Sequence, residues 1–88
     1  MRPIAIVFHR SFEKNYARQS AGTKKAFSER RNLFLIDSAH PLLNNHPLRG
    51  KWKGYFSINV SGDFRAVYFL KNAVAVFVAL DTHSKLYR

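Results

Sequence analysis

Eighty-eight residues suffice for one domain with one small core and are too few for two. With 47% hydrophobic residues the chain can fold unaided, and the lack of cysteine excludes a disulfide framework and a thiolate metal site. Fifteen lysines and arginines against five acidic residues give a net charge of +10, which favours a polyanion or an acidic partner over a neutral one.

The four histidines are scattered, so neither a structural zinc nor any other cofactor is expected. No stretch approaches the ~18 to 20 apolar residues of a membrane span, and the amino terminus does not read as a secretory leader. A cytoplasmic protein that does not engage membranes is expected.

Residues 4–8 form a short apolar run rich in β-branched side chains and read as a first strand, with Pro3 at its start favouring an edge. Ser11 reads as the N-cap of a helix over 12–19, in which Phe12 and Tyr16 share one face and Lys14 and Arg18 another. Ser20-Ala21-Gly22 breaks it. Thr23 reads as the cap of a second helix to about residue 37, where Ala26 and Phe27 recur seven residues later as Leu33 and Phe34 on the core side. Arg30 and Arg31 fall between them and are expected to face outward or snorkel along the surface.

Residues 38–47, with two prolines and Asn44-Asn45, form the one long loop, a place where function concentrates. From Tyr55 the period becomes two, with Phe56, Ile58 and Val60 on one side of a strand and Ser57, Asn59 and Ser61 on the other. Ser61-Gly62 turns the chain into a second strand over 64–70, and Lys71-Asn72 turns it into a third over 73–80, apolar throughout as for a strand buried on both faces. The order is β-α-α-β-β-β, an α+β domain with a twisted, mostly antiparallel four-stranded sheet packed by an amino-terminal helical hairpin.

Chemistry gathers in residues 46–65. His46 precedes four cations, Arg49, Lys51, Lys53 and Arg65, interleaved with Trp52 and Tyr55, a mix suited to a phosphodiester chain. Lys51 and Lys53 are two apart and share one side of an extended segment. The last residues add His83 and Tyr87.

The strings Leu48-Arg49-Gly50-Lys51-Trp52-Lys53-Gly54-Tyr55, Asp63-Phe64-Arg65-Ala66-Val67-Tyr68 and Thr82-His83-Ser84-Lys85-Leu86-Tyr87 resemble the RelE/ParE superfamily of bacterial toxins, and within it the YafQ-like branch. The resemblance implies a toxin that cleaves mRNA on the ribosome, contacts rRNA, and is held inactive by an acidic antitoxin in a hetero-oligomer. It implies catalytic roles for His83 as general acid, for His46 as base or orienting group, and for Asp63. Arg49, Lys51, Lys53, Arg65, Phe64 and Tyr87 are then the RNA-binding set. Asn59 joins that set as a departure, since the family often places a histidine there, and an asparagine can hold a water or a phosphate oxygen but cannot shuttle a proton. The ParE branch supplies the alternative, a non-enzymatic gyrase inhibitor. An inactive nucleic-acid-binding homologue is the third reading.

Overall fold

The computed structural model describes residues 5–87, so Pro3 and Ile4, read above as the opening of the first strand, lie outside the described residues. The chain runs β1 (Ala5–Phe8), α1 (Arg10–Ala17), α2 (Ala21–Ile36), β2 (His46–Pro47), β3 (Phe56–Ser61), β4 (Phe64–Lys71), β5 (Val74–Thr82) and α3 (His83–Leu86). Single 3-10 turns occupy Pro41–Leu43 and Gly50–Trp52. The sheet order is β1-β5-β4-β3-β2, with β1 parallel to β5 and the other pairs antiparallel.

The expected architecture gains a fifth strand. His46 and Pro47 pair with Ser57 and Phe56, a strand of two residues whose proline lacks an N–H and therefore read as loop. A four-residue helix, α3, also follows β5 directly.

α1 starts at Arg10 because His9, not Ser11, is its N-cap, with His9 Nδ1 accepting the N–H of Ser11 at 3.0 Å. The Ser11 hydroxyl donates instead to the Val78 carbonyl at 2.6 Å. Asn15 Oδ1 accepts the N–H of Leu80 at 3.0 Å, and Gln19 Nε2 donates to the Leu80 carbonyl at 3.4 Å. These three side chains are spaced four residues apart, on one face of the chain as it winds through α1 and its C-terminal turn. β1 pairs only as far as Phe77, so they supply to the rest of β5 the hydrogen bonds a neighbouring strand would give.

Ser20, not Thr23, caps α2, its Oγ accepting the Thr23 N–H at 3.2 Å, and Thr23 itself is buried in the first turn. The helices are therefore joined through Arg18-Gln19-Ser20. Phe27 and Phe34 are fully buried, as the seven-residue spacing predicts, while Arg30 runs along the surface to donate to the Leu42 carbonyl at 2.7 Å.

The core between the helices and the sheet is largely aromatic. Phe12 and Phe27 stand 5.0 Å apart between ring centroids, Phe34 and Tyr68 5.0 Å, and Tyr68 and Phe77 5.1 Å, with Ile58, Val60 and Leu80 filling between them. On the sheet's other face a smaller cluster of Val67, Ala79 and Leu86 lies under Leu48, Trp52 and Tyr55.

β5 is buried on both faces only in its later part. Val67 pairs with Ala79 and Tyr68 with Phe77, which leaves Val78 as a bulge. The bulge shifts the phase, so that Ala75 and Phe77 face the helices, Val78 and Ala79 join the second cluster, and Leu80 returns to the helix side. This explains a run with no alternation in its letters. Val74 and Val76 are half-buried, and Ala73, expected to open the strand, lies in the turn at φ 65.

Candidate active site

The second face of the sheet carries a cleft of about 490 Å³ lined by Asn44, His46, Pro47, Leu48, Arg49, Ser57, Arg65, His83 and Tyr87. Three segments distant in sequence meet there: the loop through β2, the β3–β4 hairpin, and the chain after β5. No aspartate or glutamate is among the described residues lining it, so its side-chain charge is positive.

His46 is aimed by the loop before it. His40 Nδ1 accepts the N–H of Leu42 at 3.1 Å and starts the turn at Pro41–Leu43. Asn44 ends that turn in the left-handed region at φ 44, a conformation asparagine tolerates better than most side chains. The Asn44 carbonyl then lies 2.7 Å from His46 Nδ1. A carbonyl can only accept, so Nδ1 carries the hydrogen, and in the neutral ring Nε2 is left with a lone pair to take up a proton. The loop is tied to the core by Asn45, whose Nδ2 donates to the Ser38 carbonyl at 3.0 Å and whose Oδ1 accepts from the Tyr68 hydroxyl at 2.8 Å.

Arg65 stands opposite Asn59 on the paired strand. Its Nη1 donates to the carbonyls of Gly62 at 2.9 Å and Phe64 at 3.1 Å, which folds the guanidinium back toward the hairpin turn and fixes it. Gly62 permits that turn with φ 48.

His83 is the first residue of α3, capped by Thr82. Its backbone N–H donates to the Asp63 carbonyl at 2.8 Å, and its ring meets the edge of Tyr87 at 4.6 Å between centroids. The imidazole is exposed. α3 is held from the other side by Trp52, whose indole N–H donates to the Leu86 carbonyl at 2.9 Å.

Of the residues singled out in the sequence, His46, Arg49, Arg65, His83 and Tyr87 come together in the cleft. Asp63 does not line it; its side chain is exposed and its main chain is what reaches His83. Phe64 packs against the helix-side core, on the opposite face of β4 from Arg65. Asn59 is half-buried, with a buried amide oxygen that has no partner among the described residues. Lys51 and Lys53 are exposed beside the cleft, but they belong to a 3-10 turn and its C-cap, not to an extended segment, so a shared side does not follow from their spacing. Three contributors escaped the sequence reading: the Asn44 carbonyl, the Trp52 N–H and the Ser57 hydroxyl. The first had a signal, an asparagine closing a proline turn two residues before a histidine.

The fold, a five-stranded sheet backed on one face by a helical hairpin, is shared with solved bacterial toxins. The crystal structure of YafQ from E. coli BL21(DE3) superposes with a TM-score of 0.75 at 21% identity, over 94% of this chain and 97% of that one. The toxin in the E. coli DinJ-YafQ toxin-antitoxin complex gives 0.73 at 22% identity, over 94% and 96%. The mRNA interferase toxin YafQ of E. coli K12 is 36% identical over 56 residues, which are 60% of this chain and 61% of the relative's length. The model of the YafQ family, bacterial toxins of type II toxin-antitoxin systems, matches residues 4–88, and the chain belongs to that family.

Proposed function

We propose that this toxin is an endoribonuclease that cleaves mRNA on the ribosome by metal-free acid-base catalysis. The observation that carries the reading is the His46 ring, held by the Asn44 carbonyl with Nε2 left as acceptor, in one cleft with His83 and two arginines. The activity named for the E. coli relative supports the same substrate.

In this reading His46 Nε2 takes the proton of a ribose 2′-hydroxyl as that oxygen attacks the adjacent phosphorus. The bond to the 5′-oxygen of the next nucleotide breaks, and protonated His83 gives that oxygen its proton, leaving a 2′,3′-cyclic phosphate and a free 5′-hydroxyl. Arg65, fixed by two carbonyls, and Arg49 meet the charge that grows on the phosphoryl oxygens. Tyr87 orients the His83 ring through the edge contact. Asp63 serves through its main chain by positioning α3, and Lys51 and Lys53 draw the RNA toward the cleft. Phe64 contributes through its carbonyl, which accepts from Arg65 Nη1.

The partner in the resting state is an acidic antitoxin in a hetero-oligomer in the cytoplasm. The net charge of +10 supports it, as does the toxin-antitoxin complex of the E. coli relative. Among the described residues no helix is long and apolar enough to cross a membrane.

The test maps mRNA 5′ ends in a translation reaction containing the purified chain, His46→Ala or His83→Ala. New ends within the reading frame are expected for the native chain, with each substitution slowing cutting by ~10² to 10⁴. Equal cutting by all three removes the two histidines from the mechanism. No cutting, accompanied by inhibition of gyrase, replaces the nuclease with the ParE-like alternative.

A further inference from the structure

We propose that Ser57, together with Asn59, forms a hydrogen-bonding floor beneath the cleft that takes up an N–H or O–H of the bound nucleotide. The inference rests on the RNA-cleavage reading above and adds a residue to the site.

Along β3, Ile58 and Val60 point into the helix-side core, so Ser57 and Asn59 share the other face, where Ser57 lines the cleft and Asn59 lies opposite Arg65, which lines it too. Ser57 is 0% exposed and lines the cleft, yet among the described residues its hydroxyl has no hydrogen-bond partner, and the buried amide oxygen of Asn59 has none either. Buried polar groups in folded proteins are nearly always paired, and leaving one unpaired costs stability. Two on the same face of one strand, two residues apart, mark a surface shaped for something other than packing. Their neighbours say what. Ser57 stands opposite His46 and Asn59 opposite Arg65, so the floor lies between the candidate base and a fixed cation.

The chemistry of the two atoms narrows the occupant. An amide oxygen only accepts, and a hydroxyl both accepts and donates. A phosphodiester oxygen carries no hydrogen and cannot satisfy Asn59 Oδ1. The arginines and histidines around the cleft suit the phosphate; this pair suits the nucleoside, through the N–H of a base or a ribose hydroxyl.

Ser57→Ala separates this role from a structural one. It deletes a buried hydroxyl that has no partner, so the melting temperature is expected to stay level or rise. Cutting in the translation reaction is expected to change nonetheless. If a base is read, the preference for favoured over disfavoured sequences falls about tenfold. If a ribose is read, all sites slow by about tenfold and their distribution stays as in the native chain. Asn59→Leu, close in size and without an acceptor, is expected to act in the same direction. Native-like rate and distribution in both variants overturn the proposal, as does slowing that follows a fall in melting temperature. A native chain that does not cut overturns the nuclease reading itself, a result distinct from native cutting that is indifferent to Ser57.

Discussion

His46 and His83 present their rings to one cleft by opposite means. His46 is half-buried and held through a ring nitrogen, whereas His83 is exposed and held through its main chain and Tyr87. In the proposed mechanism the two rings carry separate proton transfers, so His46→Ala and His83→Ala should each slow single-turnover cutting by ~10² to 10⁴. Tyr68 makes a prediction about folding. Burial, the main cause, pushes its pKa above the ordinary tyrosine value of 10.0. The unfolded chain then releases the phenolic proton first as pH climbs, so the stabilisation from Tyr68 is complete below about pH 10 and is lost as pH rises through the folded-state pKa. Tyr68→Phe should flatten that alkaline loss in denaturant titrations. At neutral pH it should cost about 1 kcal/mol, because Asn45 Oδ1 loses its donor. The site was partly legible at this level because charge and imidazole announce themselves by type. Asn44 acts through a carbonyl, which every residue possesses, and Ser57 read as an ordinary polar position on a half-buried strand.

α1 earns its place through Ser11, Asn15 and Gln19 as much as through Phe12. Asn15→Ala should cost ~1 to 3 kcal/mol, since the N–H of Leu80, a residue with no exposure, is left without an acceptor. Asn15→Asp retains an acceptor and should cost less; chemical denaturation of the two variants measures the difference. The β4–β5 turn holds Asn72 at φ 52 and Ala73 at φ 65, both in the left-handed region. Glycine accepts that backbone where alanine is strained, so Ala73→Gly should stabilise by about 1 kcal/mol, seen as a higher melting temperature. Strands and helices with strong periodicity, such as β3 and α2, were legible from their letters. Their ends were less so. Histidine is an unusual N-cap, so Ser11 drew the assignment that belonged to His9. The bulge at Val78 hid in an apolar run because neither of its neighbours is polar.

Taken whole, the protein divides its labour between the two faces of one sheet. The helical hairpin supplies the main core, and the opposite face, covered only in part by Trp52, Tyr55 and Leu86, leaves room for the cleft. The cations placed around that opening predict a strong dependence on salt. If Arg49, Lys51, Lys53 and Arg65 each neutralise one phosphate, the logarithm of RNA affinity should fall with the logarithm of salt with a slope of roughly −3, measured by fluorescence anisotropy. A slope near zero would place the charges elsewhere in function. The α+β class and the order of the longer elements could be read in advance. The meeting of loop, hairpin and tail could not, because it depends on β2, two residues long, and on a tryptophan clasping the chain 34 positions later.

The borders of the sheet carry a consequence for the behaviour of many copies at once. One border is β2, where Pro47 can donate nothing to an incoming chain. At the other, the later part of β5 is already occupied by side chains of its own molecule, so that among the described residues β1 offers four residues there, while on the first side β2 covers only Phe56 and Ser57 of β3. Each open stretch among the described residues is therefore short, and a second copy has little continuous length over which to add itself strand on strand.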